Sequence, residues 1–312
     1  MGRDFQRPGR SPVYATNAMA ASSHPLASEA ALQIMQMGGN AVDGAIAASA
    51  VLAVVEPAMT GIGGDCFAIL ARPGKSLVGI NGSGRAPAAT DPQFLFDQGI
   101  TEVPEDEPVA VTLPGAIDAW DRLLNTYGTM DFATVLRPAI RFAEEGFAVA
   151  PRVASDWANF ETRLDAHEAT RDLYLKDGRA PGTGEIFRMP VLAETLRSIA
   201  ENGRDGFYLG ETAKSMASWL QKQGGVHTEQ DFVQVESTWV EPVLNPYRGI
   251  DIGEIPPNGV GVTAQLILNI LENFDLASLD PFGAKRFHLN LEAARIAYRY
   301  RDAHIADSDH MK

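Results

Sequence analysis

Residues 18–67 read AMAASSHPLASEAALQIMQMGGNAVDGAIAASAVLAVVEPAMTGIGGDCF, and two helices are predicted within this stretch. Apolar side chains recur at helical spacing over residues 26–37, and the glycine pair that follows supplies a helix stop. Residues 41–55 carry small and β-branched side chains on nearly every face, and Pro57 ends that helix. Because almost no position of the second helix is polar, we expect other parts of the protein to enclose it.

A β-hairpin is predicted directly after these helices. Residues 60–70 run from a glycine-dense turn into an apolar strand, and residues 76–81 have the pattern of its partner across Pro73-Gly74-Lys75. Downstream, helical spacing with glycine stops predicts a helix-rich middle and a long final helix. These elements are a short helix near Phe94, helices from Leu113-Pro114-Gly115 through Tyr127 and over 132–146, 192–202, 210–223, 262–274 and 286–302, and one strand over 249–255.

The composition is that of a globular protein with a substantial core. The chain has 312 residues, of which 45% are hydrophobic, and this suffices for one large domain or two ordinary ones. The formal net charge of −14 would repel a phosphate backbone, and the basic residues are sparse, so nucleic-acid binding is not expected.

The N-terminus and the apolar runs indicate neither export nor membrane insertion. Residues 1–16 lack the apolar segment of a signal peptide. The longest apolar run, Ala45–Val55, is shorter than the ~20 residues that span a bilayer. We therefore predict a cytoplasmic protein with no membrane partner.

The single cysteine, Cys66, excludes an intrachain disulfide and a multi-cysteine metal site. It has two interpretations, a thiolate nucleophile or a buried structural residue. The acidic Asp65 beside it and the apolar residues after it disfavour a reactive thiolate. The structural interpretation is the stronger one.

Neither a cofactor nor a metal is predicted. The turn Gly61-Ile62-Gly63-Gly64-Asp65 lacks the lysine of a phosphate-binding loop and precedes a strand, so we interpret it as a tight backbone turn. The six histidines show no metal-ligand spacing, and the acidic and histidine residues over 302–310 are typical of a solvated tail.

Residues 81–87, Asn-Gly-Ser-Gly-Arg-Ala-Pro, form the loop with the clearest functional character. The loop is polar, follows a predicted strand and carries Arg85, whose guanidinium can bind a carboxylate through two parallel hydrogen bonds. The alternative is a solvated surface arginine. The chemistry of the residues alone leaves both interpretations open.

Several segments, in order along nearly the whole chain, resemble the large-subunit portion of the γ-glutamyltranspeptidase family of N-terminal-nucleophile (Ntn) hydrolases. They are residues 18–67, 113–128 (LPGAIDAWDRLLNTYG), 137–149 (RPAIRFAEEGFAV), 199–232 with IAENGRDGFYLGETA and GGVHTEQDF, 246–261 (PYRGIDIGEIPPNGVG) and 288–309 (HLNLEAARIAYRYRDAHIADSD). The resemblance implies an α+β fold, in which this helix-rich chain, residues 1–312 as a single domain, contributes to an αββα sandwich that a small subunit completes.

The family resemblance also implies a mechanism. Family precursors cut themselves and free a threonine that is both nucleophile and, through its α-amine, general base. No such element is found in this chain, so we expect it to be the large subunit alone, with no catalytic residue of its own and no activity without the small subunit. Whether two such heterodimers pair further stays open.

The resemblance assigns substrate binding to the loop at 81–87. In the family, an arginine in a loop after an early strand binds the α-carboxylate of the γ-glutamyl group. Aligned on Ala86-Pro87, that arginine falls on Ser83, whereas Arg85 stands two places later. Arg85 is the first candidate for carboxylate binding and Ser83 the second. Two other departures are Asp65-Cys66, which replaces glycines, and Asn258-Gly259-Val260-Gly261, which replaces a Ser-Ser-Gly-Gly-like run.

The expected function is therefore cleavage or transfer of a γ-glutamyl or related acyl group from amides such as glutathione. The departures leave two alternatives: an amidase of the cephalosporin or glutaryl acylase kind within the same family, and a non-catalytic family member that acts as a binding partner.

Overall fold

The computed structural model describes residues 12–311. Residues 1–11, on which part of the localisation prediction rests, and Lys312 lie outside the described residues. The helices are α1 Pro25–Gln36, α2 Ala41–Val55, α3 Pro92–Asp97, α4 Ala116–Tyr127, α5 Phe132–Val135, α6 Arg137–Glu145, α7 Pro151–Asn159, α8 Glu161–Asp165, α9 Glu168–Tyr174, α10 Pro190–Asn202, α11 Asp205–Tyr208, α12 Gly210–Lys222, α13 Glu229–Val233, α14 Gly261–Glu272 and α15 Ala284–His304. The strands are β1 Cys66–Leu70, β2 Val78–Gly82, β3 Phe147–Ala148, β4 Ile186–Phe187, β5 Thr238–Val240, β6 Val243–Tyr247 and β7 Ile250–Glu254.

The described residues group into two compact units. Unit 1 comprises the residues up to Gly64, Ala86–Thr112 and Trp120–Gln234. Unit 2 comprises Asp65–Arg85, Leu113–Ala119 and the residues from Val235 onward. Unit 1 is mostly helical, and unit 2 holds a three-stranded sheet and a hairpin beside its helices.

Helices α1 and α2 pack against each other in unit 1, where the sequence predicts them. His24 caps α1, because its Nδ1 accepts a hydrogen bond from the Leu26 N–H at 3.2 Å. The helix ends before Gly38, whose φ of 102° lies in the left-handed region that glycine adopts without strain. Helix α2 is enclosed as expected, with Ala47, Val51 and most of its other residues buried.

A buried carboxylate joins α2 to the turn over residues 128–130 in unit 1. Asp43 is 0% exposed, and it accepts hydrogen bonds from the Thr129 N–H at 3.0 Å, the Thr129 hydroxyl at 2.7 Å and the Met130 N–H at 3.2 Å. It also accepts from the Asn40 N–H at 2.7 Å, and the Asn40 side chain in turn caps α2. Hydrogen bonds on this scale are what make a buried polar group tolerable. We call Asn40, Asp43, Thr129 and Met130 the Asp43 network.

The helix predicted over residues 132–146 is two helices, α5 and α6. Leu136 follows the end of α5, and Pro138 lies in the first turn of α6. Proline has no N–H to donate to a preceding turn, but it is favourable at a helix start. The single-helix prediction was therefore wrong, although the stop at Gly146, with a φ of 94°, is confirmed.

Unit 2 contains a three-stranded antiparallel sheet in the order β1-β2-β5. Strands β1 and β2 pair as the hairpin that the sequence predicts, whereas β5 was not predicted. On one face of this sheet the side chains of Phe67 and Ile69 are 43% and 40% exposed. An apolar face of β1 is thus left open within the described part of unit 2.

Gly82, the last residue of β2, lies against the chain segment that leads into α4. A Cβ at this position would lie 2.8 Å from the Cβ of Ala119 and 2.8 Å from the carbonyl oxygen of Cys66, so only glycine fits. Cys66 is the register partner of Gly82 and is half-buried. The burial predicted for a structural Cys66 is therefore only partial.

The remainder of unit 2 is the β6-β7 hairpin with α14 and α15. Gln265 on α14 donates from Nε2 to the carbonyl oxygens of Val243 at 2.8 Å and Ile252 at 3.0 Å, which ties the helix to the hairpin. Helices α14 and α15 pack around Leu271 and Ala293. Strand β7 and both helices lie where the sequence predicts them.

Candidate functional site

The candidate site lies in unit 2, in the loop that follows β2. The Leu113 N–H donates to the carbonyl oxygen of Arg85 at 2.9 Å and fixes the end of the loop. A Cβ on Gly84 would overlap the carbonyl oxygen of Leu113, so the loop approaches the backbone as closely as glycine permits. Close packing against neighbouring backbone at Gly82 and Gly84 therefore fixes the position of the loop.

Two backbone donors of the loop are already engaged. The Ser83 N–H donates to Oδ1 of Asn81 at 2.9 Å, and the Gly84 N–H donates to Oδ1 of Asp65 at 3.1 Å. The glycine-rich loop therefore does not present these N–H groups to an anion as a backbone cradle would. At these two positions only side chains can donate to an anionic ligand.

Ser83 belongs to a group of uncharged side chains. Its Oγ lies 3.1 Å from Oδ1 and 3.0 Å from Nδ2 of Asn258, and Nδ2 of Asn81 donates to the same Oδ1 at 3.0 Å. Asn258 lies in the loop between β7 and α14 and is exposed. We call Asn81, Ser83 and Asn258 the neutral cluster. Its side chains are accessible to a ligand, because none of the three is buried.

Arg85 points to solvent, with 70% of its side chain exposed. Its guanidinium lies 3.7 Å from Oδ2 of Asp309, whose side chain is 66% exposed. Asp309 lies in a 3₁₀ turn, Ser308–His310, after α15. A pair this exposed contributes little stability and exchanges readily with another carboxylate.

The structure places both predicted binding residues, Ser83 and Arg85, in one loop and brings Asn258 to it from a position 175 residues away in sequence. Sequence reasoning placed Asn81 in the candidate loop and noted Asn258 only as a departure from a family run, but it predicted neither their pairing nor the approach of Asp309 to Arg85. The tail that holds Asp309 was interpreted as solvated, and Asp309 is exposed but close to Arg85. A pairing over such a separation leaves no local sequence signal.

Within residues 12–311, no group of three or more His, Cys, Asp or Glu side chains is arranged to hold a metal ion. Over the same range, no helix is both long and apolar enough to cross a bilayer.

A chain with this α+β organisation and sequence belongs to the gamma-glutamyltranspeptidase family, whose family model matches residues 27–312. Among curated proteins, the chain is 39% identical to the glutathione hydrolase-like YwrD proenzyme of Bacillus subtilis strain 168 over 298 residues, which cover 95% of this chain and 56% of that protein. The chain thus spans about half the length of the curated relatives it matches.

Solved structures agree with the family assignment. The cephalosporin acylase from Bacillus halodurans is 38% identical with a TM-score of 0.90, and the match covers 100% of this chain and 59% of that chain. The gamma-glutamyltranspeptidase of Helicobacter pylori is 32% identical with a TM-score of 0.89, and the match covers 96% of this chain and 88% of that chain. The predicted α+β fold is confirmed, and these neighbours are consistent with the Ntn-hydrolase fold at this level.

Proposed function

We propose that this chain is the large-subunit portion of an Ntn amidohydrolase that cleaves or transfers a γ-glutamyl or related acyl group. Its small subunit would come from the same precursor, by which we mean the full-length product that carries this chain. A threonine at the start of that subunit would attack the amide carbonyl, and water or an amine would resolve the acyl-enzyme. Backbone N–H groups would stabilise the oxyanion.

The exposed guanidinium of Arg85 is the observation that carries this proposal. A carboxylate at the end of the acyl group can form two parallel hydrogen bonds with an arginine. Arg85 is available for this role because Asp309, at 3.7 Å, holds it only weakly. Ser83 stands two residues earlier in the same loop and can add a hydroxyl donor.

The open surface of unit 2 supports the proposed small subunit. In the described residues, β1 and β5 are the edge strands of their sheet, and Phe67 and Ile69 are exposed on one face of β1. On α15, Leu291 is 68% exposed. Exposed edges and apolar side chains of this kind are typical of surfaces that pair with another chain or sheet. An αββα sandwich would cover them with the strands of the small subunit.

A second candidate is an amidase for acyl groups other than γ-glutamyl. Ser83 stands where the resemblance expects the family arginine, which removes a positive charge from that position. The similarity to the Bacillus halodurans cephalosporin acylase, at 38% identity, favours the same candidate. In this second candidate, Arg85 would bind the carboxylate of a glutaryl-like side chain instead of the α-carboxylate of a γ-glutamyl group.

Intact-mass spectrometry of the purified precursor, followed by an acyl-donor comparison, tests both candidates. We expect two chains, the smaller beginning at threonine, and hydrolysis of γ-glutamyl-p-nitroanilide with a higher kcat/KM than glutaryl-p-nitroanilide. The reverse preference would favour the acylase candidate. An uncut precursor with no activity toward either anilide would overturn the proposed function and favour a non-catalytic binding role.

A further inference from the structure

The hydrogen bonds of the neutral cluster determine which side-chain atoms of Asn81 and Asn258 donate and which accept. The Ser83 N–H can only donate, so the atom of Asn81 that receives it at 2.9 Å is the oxygen, Oδ1. The other end of the Asn81 amide, Nδ2, therefore donates to Oδ1 of Asn258 at 3.0 Å. This leaves Nδ2 of Asn258 as a donor to Oγ of Ser83 at 3.0 Å.

Asn258 can therefore hold the Ser83 hydroxyl in two states. A hydroxyl has one proton and two lone pairs. Without a ligand, Ser83 can donate its proton to Oδ1 of Asn258, 3.1 Å away. When an acceptor arrives from solvent, the proton can turn to it while Nδ2 of Asn258 still donates to Oγ. The Asn258 amide thus keeps Oγ of Ser83 in place and leaves the hydroxyl proton of Ser83 available to a ligand.

We propose that Asn258 is a positioning residue that aims the Ser83 hydroxyl at the polar end of the acyl group, beside Arg85. This inference rests on the proposed function, because it names a further determinant of the same binding site. The N–H groups of Ser83 and Gly84 are engaged, so the Ser83 hydroxyl and the Arg85 guanidinium are the side-chain donors of the loop that can face a carboxylate. In this role Asn258 acts through Ser83, whose hydroxyl it holds through Nδ2.

A purely structural role for Asn258 is disfavoured by its surroundings. The residue is exposed, and its side chain forms hydrogen bonds to the side chains of Asn81 and Ser83. Because Asn258 is exposed, its truncation creates no buried cavity, and the melting temperature should stay close to that of the wild type.

A double-mutant cycle in the precursor tests the proposal. Asn258→Ala and Ser83→Ala are each expected to raise KM for γ-glutamyl-p-nitroanilide about tenfold, as loss of one hydrogen bond to a charged group does, with kcat nearly unchanged. The double variant should show no larger KM than either single variant, because both changes remove one shared interaction. Asn258→Ser, which restores a group that can donate to and accept from Oγ, should give an intermediate KM.

Asn245→Ala is the matched control. Asn245 and Asn269 form another exposed pair of amides in unit 2, joined by hydrogen bonds of 2.7 and 3.2 Å, and the loss of these bonds should leave KM and the melting temperature unchanged.

If the KM increases of Asn258→Ala and Ser83→Ala multiplied in the double variant, the positioning role would be overturned while the proposed function stood. Failure of the Asn258 variants to process would equally overturn it, by assigning Asn258 to maturation. A wild-type precursor without activity would overturn the proposed function and this inference with it.

Discussion

The Asp43 network of unit 1 and the neutral cluster of unit 2 use similar polar side chains but differ in their partners. Asp43 is 0% exposed and accepts hydrogen bonds from three backbone N–H groups, those of Asn40, Thr129 and Met130. The neutral cluster is accessible, and its contacts to Asn258 join side chain to side chain. The N–H donors around Asp43 are all engaged in hydrogen bonds that hold the fold together. In the neutral cluster, by contrast, the Ser83 hydroxyl proton can turn to a ligand.

The largest effect should come from Asp43→Ala. The change removes a buried carboxylate and leaves the N–H groups of Thr129 and Met130 without their acceptor. We expect a loss of at least about 3 kcal/mol in the free energy of unfolding, since several charge-assisted hydrogen bonds go at once. Chemical denaturation of the precursor measures it.

Asp156→Ala is the control for Asp43. Asp156 pairs with Arg152 at 3.4 Å on the surface of α7, and its loss should cost no more than about 0.5 kcal/mol. Equal losses for the two variants would show that burial and backbone partners do not distinguish the two regions.

Arg85→Ala should have the next largest effect, and on binding instead of stability. We expect KM for γ-glutamyl donors to rise tenfold or more, as when a charge-assisted hydrogen bond is lost, while the free energy of unfolding changes by less than about 0.5 kcal/mol. Steady-state kinetics and a thermal melt measure the two quantities. Arg295→Ala, which breaks an exposed pair with Glu292 at 2.6 Å on α15, should change neither. An unchanged KM for Arg85→Ala would remove Arg85 from the binding site.

The two regions also differ in how far the sequence reveals them. Helix α2 can be predicted from the sequence because apolar residues fill nearly every position between Asn40 and Pro57, and because Asn40 is a strong helix N-cap. The β1-β2 hairpin is readable because a Pro-Gly turn separates two apolar runs. Local pattern and local chemistry therefore sufficed for these elements.

Other features depend on contacts that no local pattern encodes. The break between α5 and α6 was missed, because the apolar spacing continues through Pro138. The short strand β5 owes its structure to pairing with β2, which is distant in sequence. Similarly, Arg85 was singled out by its chemistry and Ser83 by the family resemblance, but their partners Asn258 and Asp309 required the folded chain.

A smaller effect, on the pH dependence of stability, is expected for His24→Asn. Burial lowers the pKa of the His24 imidazole, although the carboxylate of Glu56 opposes this shift. The unfolded state therefore binds more protons than the folded state below the ordinary value of 6.5, so histidine costs stability as the pH falls below it. Asparagine keeps the cap of α1 and does not titrate. The variant should lose less stability than wild type between neutral and mildly acidic pH, and parallel curves would contradict the assignment.

The smallest effect is expected for Asp309→Asn, and it tests whether Asp309 competes with the ligand or orients Arg85. The pair is exposed on both sides and 3.7 Å apart, so its loss should change the free energy of unfolding by less than about 0.5 kcal/mol. If Asp309 competes for the guanidinium, KM for γ-glutamyl donors should fall by no more than about twofold, and the difference should vanish at high salt, where exposed charges are screened. A tenfold rise in KM, like that of Arg85→Ala, would instead mean that Asp309 fixes the guanidinium for binding. In that case Asp309 would hold Arg85 in a fixed position, as the hydrogen bonds around Asp43 hold that carboxylate. Exposure alone would then no longer distinguish the two regions.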